Sequence, residues 1–207
     1  MQPEQDAAEL IGTLMQTRQT ILPAWLQAPG PDVQQLQQIL GAAASAPDHR
    51  QLLPWRFVLV PAAARSLLAE QFAMALRERD AQALPEQVAQ AREKAFRAPC
   101  LLLLVVDLAR GDPSVDAFER VLSAGAATQN VLLMATALGF ASALTGGRSL
   151  KSSALRALFG LTDAEHALCF VSIGTAQSGK PMRLRPVPDD YVSRLLPDGK
   201  VVSGTGF

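Results

Sequence analysis

The run CLLLLVVD, residues 100–107, constrains the fold of this chain more than any other segment of its 207 residues. An uninterrupted apolar run of this length has no polar side to turn toward water, so it predicts a strand that is buried on both faces. Candidate helices precede it over 64–80 and 85–97, and another follows it over 115–138. These segments have to cover the strand, which predicts helices around a central sheet.

The remaining periodicities predict a mixed set of elements. Apolar residues at helical spacing predict helices over 4–17 and 31–47, and a short one at SALRALFG. WRFVLVP, FASALTG and ALCFVSIG are typical of three further strands. The helix over 115–138 has small residues at its centre, Ala124–Ala127, which predict burial with close backbone contacts. Strands and helices do not alternate as in a doubly wound fold, so the prediction is a single α+β domain over residues 1–207.

Charge and cysteine usage argue against several function classes. Lys plus Arg and Asp plus Glu both number 19, so no net field attracts nucleic acid. The N-terminal MQPEQDAAEL lacks the basic and apolar regions of a signal peptide, and no apolar run is long enough to cross a bilayer. A cytoplasmic protein without membrane association is therefore expected. Cys100 and Cys169 lie in apolar strand candidates outside any CxxC spacing, which predicts buried structural thiols.

The string GTAQSGKP, residues 174–181, has the glycines and lysine of a phosphate-binding P-loop but not its other features. Pro181 stands where a Ser or Thr hydroxyl would hold Mg²⁺, and the following PMRLRPVP cannot form the required helix. No GxGxxG, GxSxG or HExxH string occurs, and His49 and His166 are too few for a His-rich metal site. These features disfavour NTPase, hydrolase and metalloenzyme chemistry, and no metal ligand is predicted.

Three short segments remain as candidate ligand contacts. In TRQT, residues 17–20, a guanidinium and a hydroxyl could both reach a phosphate, although a basic residue at a helix end also stabilises the helix dipole. Residues 45–57, SAPDHRQLLPWRF, form a polar turn that leads into a strand, and His49 is equally explained as a solvated side chain. In LTGGRSL, residues 144–150, two glycines either let the backbone approach a flat ring or simply make a turn.

Together, in this order and spacing, these segments resemble the nitroreductase family of flavoproteins over nearly the whole chain. The resemblance rests on TRQT, APDHRQLLPWRF, SAGAATQNVLLMATALGF, SALTGG with RALFG, FVSIGT and RLRP. APDH followed by PWRF, where the commoner family form is APSS followed by QPW, is most similar to the minimal bacterial nitroreductases of the YdjA-like subgroup. The resemblance to this family implies a three-layer α+β fold with a mostly antiparallel central sheet, in an intertwined homodimer with two FMN molecules at the interface.

The resemblance implies that both ends of the chain contribute to the flavin phosphate site. Arg18, Gln19 and Thr20 match the family's Arg-x-Ser segment, in which the arginine and the hydroxyl hold phosphate or ribityl oxygens. Thr20 replaces the serine and keeps the hydroxyl. Arg183 and Arg185 match a basic pair that holds the phosphate in larger family members.

Two further segments are implied to contact the flavin. Residues matching positions that reach the flavin of the other subunit are Ser45, His49 and Gln51, with Gln51 in place of an asparagine near the ring. The segment expected to lie along the flavin comprises Leu144, Thr145 and Gly146. The minimal subgroup usually has Trp-Arg-Ser there, so this segment is the largest departure from the family pattern.

The implied function is that of an FMN-dependent oxidoreductase. NADH or NADPH gives up hydride and leaves, and a nitroaromatic, quinone or similar small acceptor then takes the electrons in the same place, which is a ping-pong cycle. The flavin carries the redox chemistry, so no catalytic side chain is assigned. Two alternatives stay open, a flavin-binding carrier or sensor without turnover and a divergent flavoenzyme of the same fold. The tail over 176–207 has too little apolar periodicity to fold alone and is expected to pack on the partner subunit.

Overall fold

A computed structural model describes residues 3–179, 181 and 183–206. These residues form an α+β fold, as predicted, with an antiparallel five-stranded main sheet and a separate two-stranded hairpin. The helices are α1 Pro3–Thr17, α2 Val33–Gly41, α3 Arg65–Arg79, α4 Pro85–Glu93, α5 Ala117–Ala137 and α6 Ser153–Leu158. The strands are β1 Leu26–Gln27, β2 Trp55–Leu59, β3 Cys100–Asp107, β4 Ala141–Thr145, β5 Glu165–Ala176, β6 Ser193–Leu195 and β7 Val201–Ser203.

Strand β3 lies at the centre of the main sheet between β2 and β5, and both pairings are antiparallel. Its alternate residues enter two different cores. Leu101, Leu103 and Val105 pack with α3, α4 and α6, whereas Cys100 and Leu102 pack with α2 and α5 on the opposite face. The predicted burial of both faces is therefore confirmed, and the fold has three layers.

Strand β4 forms an edge of the main sheet. It pairs with β5 over residues 141–145, and β1 continues the same edge through two further residue pairs. On its outer side the only described contact of strand type is an isolated parallel bridge between Thr20 and Ser142. The chain that follows α1 is thereby held against the edge strand.

Within the single chain, helix α5 is buried on one side only. Ala124, Ala127 and Val131 are fully buried against the sheet. On the opposite side, however, Phe118 is 83% exposed and Leu122 is 75% exposed in the single chain. These two residues are four apart and so share one face of the helix, and that apolar face has no cover within one protomer.

The C-terminal tail is more structured than the extended segment expected from its composition. Strands β6 and β7 pair over three residue pairs, and a 3₁₀ turn covers Pro188–Asp190. The turn is tied to the hairpin's far end because the Thr205 amide and hydroxyl donate to Asp189 Oδ1 at 2.7 and 2.6 Å. Local hydrogen bonds, which apolar periodicity does not report, account for the difference. Packing of the tail on a partner subunit stays a prediction.

Both thiols are unreactive by environment. Cys100 and Cys169 are free, and burial raises the pKa of each to about 11. Since the thiolate is the nucleophilic form, both remain protonated at neutral pH, in agreement with structural roles. In the part of the chain that the structure describes, no helix is long and apolar enough to cross a membrane.

Candidate functional site

The TRQT segment lies where α1 ends and the chain meets the sheet edge. The Arg18 amide makes the final helical hydrogen bond to the Leu14 carbonyl at 3.0 Å, and the Ile21 amide then donates to the Ser142 carbonyl at 3.1 Å. Arg18 and Thr20 therefore face the edge of β4 rather than continuing a helix. Gln19 lies between them and is partly exposed.

A cavity of about 160 Å³ opens at this junction. The structure brings together there three of the residues singled out from the sequence and four others. Its lining residues are Arg18, Thr20, Gln129, Leu132, Ser142, Ala143 and Leu144. The N-terminal segment, the middle of α5 and the edge strand thus meet in one place, although they are far apart in sequence.

Arg185 reaches the same junction from the C-terminal tail. Its Nη2 atom donates to the Arg18 carbonyl at 2.7 Å. Burial first, and the neighbouring Arg185 charge second, lower the pKa of Arg18. Neither arginine has a carboxylate within ion-pair distance among the described residues. Two adjacent guanidinium groups without a counter-charge favour an anionic ligand. Arg183 is exposed and makes no hydrogen bond within the described ranges.

Ser142 adds a second signal for a polar ligand. Its side chain is 1% exposed and lines the cavity, yet its Oγ atom has no hydrogen-bond partner in the described structure. A buried hydroxyl without a partner costs free energy unless a ligand or water satisfies it. The sequence analysis did not single out Ser142. Strand alternation could have found it, since Ser142 and Leu144 are two apart on β4 and point to the same side.

A larger cavity, of about 670 Å³, begins where β4 ends. Thr145 and Gly146 line it, together with Gly147, whose φ of 144° is readily adopted only by glycine. Its apolar floor includes Phe72 and Phe170, whose ring centroids lie 5.6 Å apart in a T-shaped arrangement. Leu144 lines the small cavity and Thr145 the large one, so β4 connects the two.

The third segment lies elsewhere in the same chain. Neither cavity is lined by Ser45, His49 or Gln51, and all three residues are exposed. His49 Nδ1 lies 2.6 Å from Glu119 Oε2 at the start of α5. This separation leaves the expected contact of these residues with a flavin of the other subunit as a prediction.

The loop that carries His49 and Gln51 has an unusual backbone. Arg50, Gln51 and Leu53 have φ values of 57°, 53° and 48°, in the left-handed region that non-glycine residues seldom adopt. Such conformations persist only where the surroundings enforce them. Here Arg50 pairs with Asp112, and the Leu53 amide donates to Asp48 Oδ2 at 2.6 Å.

A buried arginine, Arg120, holds the loop over residues 110–115, which contacts the loop that carries His49 and Gln51. Arg120 is 2% exposed, and its guanidinium donates to the carbonyls of Val115, Arg110 and Asp112, the latter two at 2.9 and 2.8 Å. The ordered loop returns a hydrogen bond from Arg110 Nε to the Leu52 carbonyl at 2.9 Å. Arg120 therefore supports the strained loop indirectly, through residues 110–115.

The described residues include no cluster of side chains suited to bind a metal ion. No group of three or more His, Cys, Asp or Glu side chains within the ranges 3–179, 181 and 183–206 is placed to hold a metal ion. The candidate site is thus a cationic and hydroxyl-lined cavity joined to a larger, partly apolar one.

Comparison with known proteins gives a consistent assignment. Residues 17–175 match the Nitroreductase family. A Haemophilus influenzae protein named "Putative NAD(P)H nitroreductase" is 32% identical over 171 residues, which cover 82% of this chain and 92% of that protein. The Escherichia coli K12 protein named "Putative NAD(P)H nitroreductase YdjA" is 33% identical over 155 residues, covering 73% of this chain and 81% of that protein.

Solved structures agree on the fold. A nitroreductase-like family protein from Bacillus cereus superposes with a TM-score of 0.76 at 17% identity, over 88% of this chain and 94% of its own. A nitroreductase with bound FMN from Desulfitobacterium hafniense DCB-2 has a TM-score of 0.64 at 20% identity, over 89% and 97%. The matched family, the relatives and the fold agree, and the chain belongs to the Nitroreductase family.

Proposed function

We propose that this protein is an FMN-dependent NAD(P)H oxidoreductase that reduces nitroaromatic, quinone or similar small acceptors. Family membership, the names of its relatives and the FMN in a structure of the same fold support the proposal. The observation that carries it is the Arg18 and Arg185 pair, which has no carboxylate partner in the described structure and lies beside the unsatisfied hydroxyl of Ser142. An anionic, hydroxyl-rich cofactor supplies what these groups lack.

The residues present fit FMN along its length. Arg18 and Arg185 would hold the phosphate, with Thr20 and Gln19 beside them and Arg183 within the same tail segment. Ser142 and Gln129 would bond the ribityl hydroxyls. The flat ring would lie along Leu144, Thr145 and Gly146, where glycine permits close approach, and would extend into the larger cavity.

FMN, when bound, supplies the hydride chemistry, and the chain supplies position and environment. The apolar residues that line the larger cavity, including Phe72, Leu101 and Phe170, would limit access of water to the bound flavin. One cavity would serve the donor and the acceptor in turn, which gives ping-pong kinetics.

We propose a homodimer in which each site is completed by the partner. Phe118 and Leu122 on α5 and the apolar residues Leu10, Ile11 and Met15 on α1 are exposed in one protomer. Such faces are typical of obligate interfaces. Ser45, His49 and Gln51 of the partner subunit would then contact the flavin, and the tail over 176–207 would cover the partner's surface.

The purified protein is expected to be yellow, or to become so with added FMN, and to oxidise NADPH with a quinone as acceptor. Absorbance spectra before and after NADPH, followed by steady-state turnover, measure both steps. Colourless protein without FMN affinity in a fluorescence titration contradicts the whole proposal. FMN binding without turnover supports the carrier or sensor alternative, which the unusual Leu144, Thr145 and Gly146 segment makes reasonable.

Leu122→Glu is expected to convert the dimer into monomers, because it places a charge in the centre of the proposed apolar interface. Sedimentation velocity measures the change, and FMN affinity should fall in parallel. Leu67→Glu is the matched control, since Leu67 is also an exposed leucine on a helix but lies on α3, away from α1 and α5. A parent protein that sediments as a compact monomer contradicts the dimer.

A further inference from the structure

Four cationic side chains line the larger cavity against one carboxylate. Arg79, Lys94, Arg97 and Arg148 come from α3, the end of α4, the loop before β3 and the segment after β4, and the carboxylate is that of Asp80. The chain as a whole has no net charge. The excess of positive charge is therefore a local property of this cavity.

None of these four cations has a partner in the described structure. Their side chains make no ion pair within 4 Å and no hydrogen bond among the residues described. The Asp80 carboxylate also lines the cavity, but it forms no ion pair with these cations, and its Oδ1 accepts the Gln82 amide at 3.0 Å. By contrast, Arg92 on α4 does not line the cavity and does have a partner. Its Nε and Nη2 atoms donate to the two carboxylate oxygens of Glu70 at 2.8 and 2.9 Å.

The remaining lining is apolar at the floor and polar at the rim. Phe72, Leu76, Leu101 and Phe170 form the floor, and Gln87 and Gln90 lie with the cations. A ligand that suits this lining has a flat apolar body and an acidic group. Such a ligand would bury its apolar body against the aromatic and aliphatic side chains and pair its acidic group with the cations.

We infer that this cavity selects electron acceptors that carry a carboxylate, such as aryl carboxylates, over their neutral counterparts. The inference rests on the proposed function, since it names the substrate class of the same site. For a nitro acceptor, NADPH supplies two electrons and one proton as a hydride, and solvent supplies a second proton. The nitro group becomes nitroso, and one water molecule is released.

The first test compares para-nitrobenzoate with para-nitrobenzamide at saturating NADPH. We expect kcat/KM to be about tenfold higher for the carboxylate, as the sum of several weak charge interactions at a solvent-accessible site, and the preference to shrink with added salt. Benzoate should also inhibit more strongly than benzamide, which tests the inference without any variant. Equal kcat/KM values and equal inhibition overturn it.

Substitutions of the lining cations test whether the preference for the carboxylate acceptor arises in this cavity. Arg79→Gln, Arg97→Gln and Arg148→Gln are each expected to lower the carboxylate-to-amide ratio by about twofold, since they share the preference with one another and with Lys94. Arg77→Gln is the matched control, because Arg77 lies on the same helix two residues away and does not line the cavity. Comparison of each variant's ratio with that of the parent protein cancels the intrinsic reactivity difference of the two acceptors. A ratio that falls equally in the control overturns the inference.

Two further measurements test whether these cations instead bind the phosphate of FMN or the phosphates of NADPH. FMN affinity should be unchanged in the Arg79, Arg97 and Arg148 variants, and a loss there means that the cations hold the cofactor, which overturns the inference. Flavin reduction by NADPH and by a phosphate-free dihydronicotinamide should be affected equally. A loss confined to NADPH assigns the cations to the donor's phosphates and also overturns it. Absence of FMN binding in the parent protein overturns the proposed function itself.

Discussion

Arg18→Ala is expected to weaken FMN binding more than a change at any other residue proposed for the site. The phosphate carries close to two negative charges at neutral pH, and a hydrogen bond to a charged group is worth about 1.5–3 kcal/mol. Its loss corresponds to roughly ten- to a hundredfold in affinity. His49 and Gln51 would contact uncharged parts of the flavin, where a lost hydrogen bond is worth only about 0.5–1.5 kcal/mol.

Arg185 makes the experiment a comparison rather than a single measurement. Its guanidinium donates to the Arg18 carbonyl and, under the proposed function, would also contact the phosphate, which would give it both a positioning and a direct role. Titration of FMN into Arg18→Ala, Arg185→Ala and the double variant, at fixed salt, should give non-additive losses. His49→Ala is the comparison within the site, and Arg77→Ala controls for loss of positive charge. If His49→Ala loses the most affinity and Arg18→Ala matches the parent, the phosphate does not bind at the end of α1.

Arg120→Ala is expected to destabilise the protein by about 3–5 kcal/mol, as is typical when a buried polar anchor is removed and a cavity remains. Three loop carbonyls, those of Arg110, Asp112 and Val115, lose their donor. For a chain of this size such a loss lowers Tm by about 10 °C. Urea and thermal unfolding of the apoprotein at one protein concentration measure it.

The control for Arg120 is Arg92→Ala. Arg92 also makes charge-assisted hydrogen bonds, but its pairing with Glu70 is at the surface, where solvent screens it, and its loss should destabilise the protein far less. Hydrogen exchange should show faster exchange at the Leu53 amide in Arg120→Ala, because loop 110–115 no longer supports residues 48–53. Equal stability of the two variants means that the Arg120 carbonyl contacts contribute little.

The sequence predicted the elements with long apolar patterns well and the short ones poorly. The strand predicted at 100–107 coincides with β3, and the helices predicted at 4–17 and 64–80 coincide with α1 and α3 within a residue or two. The two-residue strand β1 was not predicted, because two residues have no periodicity to detect.

The site was predicted only in part for a related reason. Arg18 and Thr20 could be named from a local string, and the structure does bring them to one cavity with Leu144. Ser142 and the four cations of the larger cavity depend on which strands and helices become neighbours, and no local pattern carries that information. Arg120 reads as an ordinary helix residue until the loop that it holds is known.

The pairing of Arg185 with Arg18 has a consequence for biosynthesis. The two residues are separated by 167 positions along the chain. Translation adds about 5–20 residues per second, so roughly 8 to 33 seconds pass between the synthesis of Arg18 and that of Arg185. The ribosome must also release the segment around residue 185 before the Arg185 guanidinium can reach the Arg18 carbonyl. Under the proposed function, phosphate binding by this pair would therefore be among the last events in making the protein, after the central sheet has been synthesised.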